Sequence, residues 1–328
     1  MKRRDLITLI GGAAAAAIIP APVHTQQSTP TIGFLSARSR EESAHLVEAF
    51  RRGLIEQGIV EGRHIAIQHR FADGHYDRLP AQAAELVHQP VSVLVAVGGD
   101  MTARAAIAAT RTIPIVSVFI GDPVANGLVA SLNRPGGNVT GVSNLNAVIE
   151  SKRLGLLKEL VPHAGTVAAL QNPDSPTAGS QQKDIEAAAQ ALGLELRFWQ
   201  ANSEGELAVA FEAMKQSRMR AVHVGADAFF ASARDQLVQL SARYALPAIY
   251  SLRDVPVAGG LMSYGVDLID TYRLTGVYAG RIIKGEKPAD LPVVQSTKFQ
   301  FVLNLKTARA LGLTIPSGVL SIADEVIE

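Results

Sequence analysis

The run Val91-Ser-Val-Leu-Val-Ala-Val97, followed by Gly98-Gly99-Asp-Met-Thr-Ala-Arg104, constrains this chain more than any other stretch. A strand that is apolar on both faces belongs in the middle of a parallel sheet, with helices covering each side. The two glycines let the backbone turn sharply and approach a ligand closely. The Ala-rich helix that follows turns its free N–H groups toward the same crevice. In open α/β sheets that crevice, beyond the carboxyl ends of the strands, is where ligands bind.

The same design recurs along the chain. Thr31–Ser36, Ile65–Phe71, Ile113–Phe119 and Val139–Val142 read as further strands. Helical patterns fall at Glu41–Gln57, Tyr76–His88 and, as a short helix, Val124–Leu132. The alternation restarts after Ser143-Asn144. Strands are expected at Thr166–Leu170, Leu194–Trp199, Ala221–Val224, Ala248–Tyr250 and Gly260–Tyr264. Helices are expected at Ser151–Leu160, Gln181–Leu192, Glu204–Ser217, Ser232–Tyr244 and Asp267–Lys284. Lys298–Leu303 alternates like an edge strand, and a helical region follows it. Strands separated by helices imply right-handed parallel crossovers. So many strands require two doubly wound α/β domains with a cleft between them.

Residues 1–25 read as an export signal. Lys2-Arg3-Arg4 precedes an Ala-rich apolar run and Pro20, and the run is too short to span a membrane comfortably. Arg3-Arg4 before Asp5, Leu6 and Ile7 resembles a twin-arginine signal; an ordinary secretory signal is the alternative. Cleavage is expected near Thr25, or after Ala21. The chain has no cysteine, so no lipid-anchored cysteine, disulfide, thiolate nucleophile or cysteine-based metal site is expected. The formal net charge is +1 and aromatic residues are few, which leaves no basic stripe or stacking surface for nucleic acid.

Enzyme signatures are missing. There is no G-x-S-x-G elbow, no Walker loop and no G-x-G-x-x-G after the first strand. The eight histidines are scattered without metal-like spacing, so neither metal nor cofactor is expected. What remains is a set of polar residues at strand ends: Ser36, Gly99, Asp100, Thr102 and Asp122 in the first half, and Asn172, Ser175, Thr177, Asp227 and Tyr250 in the second. Singly, most fit helix caps or turns. Together they would ring one cleft. Hydroxyls and helix N-termini suit a carboxylate, and Asp122 or Asp227 suits an ammonium group. Phe229, Phe230, Tyr250 and Tyr264 suit an apolar or aromatic portion. No base stands beside a nucleophile, which points to binding and not catalysis. An acid/base enzyme using Asp122 or Asp227 is the weaker alternative.

Several motifs carry a resemblance. They include Ile32-Gly-Phe-Leu-Ser36, Val60-Glu-Gly62, Tyr76-Asp-Arg-Leu-Pro80 and Gly121-Asp-Pro123. Arg134-Pro-Gly-Gly-Asn-Val-Thr-Gly141, Gly259-Gly-Leu-Met-Ser-Tyr-Gly265 and Asn304-Leu-Lys-Thr-Ala308 complete the set. With the export segment, these resemble the ABC-transporter substrate-binding family that includes tryptophan/tyrosine-type binding proteins. The resemblance implies a type I periplasmic-binding fold with two lobes joined by three crossings. By that likeness residues 29–143 and 252–290 form one lobe, and residues 144–251 and 291–328 the other. It also implies a soluble periplasmic monomer that captures a small molecule. Its partners would be an inner-membrane ABC permease and a cytoplasmic ATPase, or alternatively a sensor kinase or chemoreceptor. The strand-end residues named above, with Tyr264, would be the ligand contacts.

Overall fold

The structure is a computed structural model that describes residues 29–144 and 147–328. The export segment expected at residues 1–25 lies outside the described residues.

Among the described residues, thirteen strands form two sheets. The strands are β1 (Thr31–Ser36), β2 (Ala66–Phe71), β3 (Val91–Val97), β4 (Ile115–Phe119), β5 (Val139–Ser143), β6 (Thr166–Gln171) and β7 (Glu195–Gln200). They continue as β8 (Val222–Val224), β9 (Ala248–Tyr250), β10 (Met262–Val266), β11 (Val294–Gln295), β12 (Phe299–Asn304) and β13 (Glu325–Ile327). The first sheet has the order β11-β5-β4-β3-β1-β2, and the second the order β13-β12-β10-β9-β8-β6-β7. Every pairing between strands is parallel except β10 with β12. β3 is central in the first sheet, as its two-faced apolar run requires, and five of its seven residues are fully buried.

Each sheet separates two apolar clusters. In the first lobe, Ile32, Phe34, Val93, Val95 and Val116 face the helices Arg40–Glu56 and Leu268–Ile283. Leu35, Leu94, Ala96 and Ile115 face the other way, toward Leu79–Val87 and Asp100–Ala109. The second lobe repeats the arrangement around β6, β8 and β9. Alternation of inward residues on a strand covered on both sides produces this pair of cores.

Sheet membership corrects the lobe boundaries. The segment 252–266, expected with the first lobe, contributes β10 to the second sheet, where it pairs with β9 and β12. The segment after residue 290, expected with the second lobe, contributes β11 to the first sheet beside β5. The three crossings therefore fall at Asn144, Asp267 and the Ser296–Lys298 segment. They lie side by side. The Ser296 N–H donates to the Ser143 carbonyl at 2.9 Å, the Asp267 N–H to the Lys298 carbonyl at 2.9 Å, and the Thr271 hydroxyl to Asn144 Oδ1 at 3.3 Å.

Three local expectations also change. Val124–Leu132 forms consecutive turns and no helix. Asp122 Oδ1 accepts from the Val124 and Ala125 N–H groups, and Gly127, at φ 68°, takes the chain out of the right-handed region. Ser232–Tyr244 is not one helix; the chain divides at Ala233 into Ala228–Ser232 and Arg234–Arg243. β12 is not an edge strand, because the terminal β13 pairs along it.

Candidate functional site

The carboxyl ends of β1, β3 and β4 in one lobe, and of β8 and β9 in the other, face a common cleft. It has two adjoining chambers. One is a mostly apolar chamber of about 640 Å³, part of it open to solvent, walled by Val118, Ile120, Ile149, Leu252, Val266 and Leu268. Gly98, Gly99, Arg38, Arg153, Asp227 and Tyr272 also reach it. The second chamber, of about 1230 Å³, is polar and carries Asp122, Glu150, Thr177, Gln181 and Asp184. Ile120, Asn144, Ile149, Arg153 and Ala226 border both.

Local chemistry sets the chamber walls. Gly98 and Gly99 have φ of 96° and 115°, where L side chains are strained. A Cβ on Gly99 would lie 2.8 Å from Ile120 Cδ1, and one on Gly98 would lie 3.0 Å from Ala37 Cβ. Asp100 does not face the cavity. Its carboxylate accepts from the Ile120 N–H at 2.9 Å, the Gly121 N–H at 3.4 Å and Asn126 Nδ2 at 2.8 Å, tying the β4 exit to the helix after β3.

Two charge clusters flank the chambers. Glu150 is buried between Arg153 Nη1 at 2.7 Å and His223 Nε2 at 2.6 Å. Burial pushes its carboxyl up, but the Arg153 and His223 contacts outweigh that and hold it at about 2. Arg153 Nε donates to the Tyr264 carbonyl at 2.7 Å. On the other side Arg38 donates from Nη2 to Asp254 at 3.3 Å, while its buried Nε has no partner among the described residues. The Tyr272 hydroxyl is likewise buried and unpartnered. Burial pushes that phenol up to about 12, with the Arg38 guanidinium close enough to oppose the shift. Buried donors without acceptors are rare in folded proteins, because each forfeits its hydration.

Several polar contacts run from lobe to lobe. The Tyr76 hydroxyl donates to Asp227 Oδ2 at 2.7 Å, and the Ser232 hydroxyl donates to Glu42 Oε2 at 3.1 Å. Glu42 also completes a capping box with Ser39, so one carboxylate both caps the Arg40–Glu56 helix and reaches the facing lobe. With Arg38–Asp254, these contacts hold the lobes together along one side of the cleft.

Among the strand-end residues singled out in the sequence, Gly99 and Asp227 line the apolar chamber, and Asp122 and Thr177 the polar one. Asp227 is fully engaged. Besides Tyr76 it accepts from Asn172 Nδ2 at 2.8 Å and from the Phe229 N–H at 2.9 Å, as the N-cap of Ala228–Ser232. Burial pushes its carboxyl up against the pull of those donors and of Ser175. Ser36, Asp100, Thr102, Asn172, Ser175 and Tyr264 line neither chamber. Ser36 Oγ accepts from the Arg38 N–H, Ser175 and Thr177 share a hydroxyl contact at 3.0 Å, and Tyr264 stacks on Phe299. Tyr250 points into the second lobe's core instead of the cleft. It is 1% exposed, with its hydroxyl 2.8 Å from that of Ser241. Phe230 is also in that core, and Phe229 packs against it. Sequence reasoning missed Arg38, Arg153 and Tyr272. Arg38 had a signal, a charge two residues beyond a buried strand; Tyr272, on the apolar face of a long helix, had none.

Comparison with known proteins agrees with this geometry. Residues 32–327 match the family described as ABC transporter substrate binding protein. The tyrosine-binding protein of Clostridioides difficile is 25% identical over 266 residues, covering 81% of this chain and 76% of that protein. An ABC domain from Streptococcus pneumoniae, solved in complex with L-Trp, is 30% identical with a TM-score of 0.84, over 92% of this chain and 100% of the other. A conserved domain protein from Vibrio cholerae is 26% identical with a TM-score of 0.85, over 91% and 99%. Two parallel-sheet lobes, three adjacent crossings and a cleft at the strand ends thus coincide with a match along nearly the whole described chain, and the protein belongs to the ABC transporter substrate-binding family.

Proposed function

We propose that this chain is the periplasmic solute receptor of an ABC importer. It captures a small carboxylate-bearing solute, a class that includes the aromatic amino acids, in the cleft between its lobes. The closed form is then presented to an inner-membrane permease coupled to a cytoplasmic ATPase. The observation that carries this reading is the apolar chamber with two buried, unpartnered donors, Arg38 Nε and the Tyr272 hydroxyl. Both belong to the first lobe, while Asp227, Ala228 and Leu252 of the second complete the enclosure. A solute held there touches both lobes only when they are closed, so it shifts the equilibrium toward closure. The binding contacts proposed are Arg38, Gly99, Arg153, Asp227 and Tyr272, with Asp122 and Thr177 at the polar chamber.

Two features support the reading. The lobes are bridged by Tyr76–Asp227 and Ser232–Glu42, as a closed receptor requires. The buried carboxylates Glu150 and Asp227 are each held at both oxygens by buried partners, which supports binding over catalysis.

A thermal-shift screen against amino acids, aromatic acids and other small nutrients tests the proposal. A solute that binds only the folded state raises the melting temperature by mass action, by an amount that grows with its concentration. At least one carboxylate solute should do so, and the shift should shrink in Arg38→Ala. A broad screen without a hit, on protein shown by mass spectrometry to carry no co-purified molecule, contradicts the assignment. Export is tested by fractionation, which should recover the mature protein from the periplasm.

A further inference from the structure

The donors and acceptors of the apolar chamber do not balance, and the imbalance selects among carboxylate solutes. Arg38 Nε and the Tyr272 hydroxyl are donors in want of an acceptor; Arg38 is 3% exposed and Tyr272 1%. Both residues line the chamber, next to Gly98 and Gly99 at the start of the Asp100–Ala109 helix. On the acceptor side, the described residues offer one carboxylate and the neutral side chains of Asn144 and Ser251. Asp227 is the one carboxylate among the described residues lining this chamber, and its oxygens already accept from Tyr76, Asn172 and the Phe229 N–H. An ammonium group placed there would have to share both oxygens with buried donors already bound to them. Asp184, a carboxylate with room for a new partner, lines the polar chamber and not this one.

An α-ammonium group is attached to the carbon that bears the carboxylate. If the carboxylate sits at Arg38 and Tyr272, the ammonium is carried into the same mostly apolar chamber, where only neutral side chains and the already shared Asp227 carboxylate can meet it. A buried, unpaired ammonium costs several kcal/mol or deprotonates. A site built to hydrogen-bond one set of polar groups rejects the analogue that leaves a charge unmatched.

Resting on the receptor reading above, we infer that the solute is an apolar monocarboxylate without an α-ammonium group: an aryl or branched aliphatic acid held by Arg38 Nε and the Tyr272 hydroxyl, its hydrocarbon part against Val118, Ile149, Leu252 and Leu268.

Matched pairs test this by isothermal titration on the full protein. 3-Phenylpropanoate and L-phenylalanine share a skeleton and differ in the ammonium group; 4-methylpentanoate and L-leucine form the aliphatic pair. 3-Phenylpropanamide removes the negative charge. The expected result is that at least one acid binds, at least tenfold more tightly than its amino acid, and that the amide does not bind measurably. Tyr272→Phe should weaken that acid roughly five- to tenfold while leaving the unliganded melting temperature unchanged or higher, because it removes a buried hydroxyl that has no internal partner. A hydroxyl with only a structural role would lower the melting temperature and spare the affinity. Tighter binding of the amino acids overturns the inference and leaves the receptor reading intact. Failure of both acids and both amino acids also overturns it, and the wider solute screen then decides the receptor reading by itself.

Discussion

At the scale of single residues, the cleft is organised by side chains that already have partners and by two that do not. Glu150 is the clearest of the first kind. Its folded carboxyl sits at about 2, below the value of 4.5 for a free glutamate, so it contributes stability that is fully present above pH 4.5 and is lost as pH falls toward 2. The full shift corresponds to on the order of 3 kcal/mol. Denaturant titrations between pH 6 and pH 3 should therefore show a loss that Glu150→Gln largely removes; an unchanged slope in the variant would contradict the assignment. Tyr76 is of another kind, because its hydroxyl joins the lobes at Asp227. Tyr76→Phe should widen the unliganded protein in small-angle scattering and weaken solute binding roughly three- to tenfold, the worth of about one ordinary hydrogen bond. A more compact variant, or unchanged affinity, would show that the contact does not bias closure. Residue roles were the least legible part of the sequence. Gly99 and Asp227 were readable because a strand end is a local pattern. The unpartnered state of Arg38 Nε and the Tyr272 hydroxyl depends on what other elements place around them, and no local pattern records that.

At the scale of elements, the sequence was most informative where burial is two-sided. β1, β3, β4 and β6 are continuous apolar runs, and each appears within a residue or two of its expected limits. Val124–Leu132 was misleading because its apolar residues occur at helical spacing, while Gly127 and the Asp122 turn decide the backbone locally. The two-residue β11 was invisible, since so short a strand has no periodicity to read. Helix packing carries a sharper prediction. The helices Arg40–Glu56 and Leu268–Ile283 cross at Gly53 and Gly276, where a Cβ would fall 1.9 Å from the Arg273 carbonyl oxygen and 2.1 Å from that of Phe50. Gly276→Ala should thus destabilise the first lobe by about 1–3 kcal/mol, the usual cost of overpacking, despite alanine's better helix propensity. Equilibrium unfolding measures this; a variant as stable as the parent would mean that the helices can separate without cost.

At the scale of the whole molecule, two lobes with separate cores meet at three crossings close enough to hydrogen-bond with one another. Such a junction leaves rigid-body rotation as the soft motion, because each core is close-packed and each sheet is continuous. The sequence foretold the two halves, from the restart of the strand–helix alternation, but misplaced two of the crossings. Met262–Val266 and Val294–Gln295 are both short, and only pairing partners decide which sheet each joins. The measurement that tests the account most directly is a crystal structure of the protein with the solute that gives the largest thermal shift. The account predicts the solute between the lobes, touching strand ends from both sheets, with an acceptor atom at Arg38 Nε and the Tyr272 hydroxyl. A solute bound on the outer surface of one lobe, with the cleft free of it, would contradict the claim that this protein works by closing two lobes around its ligand.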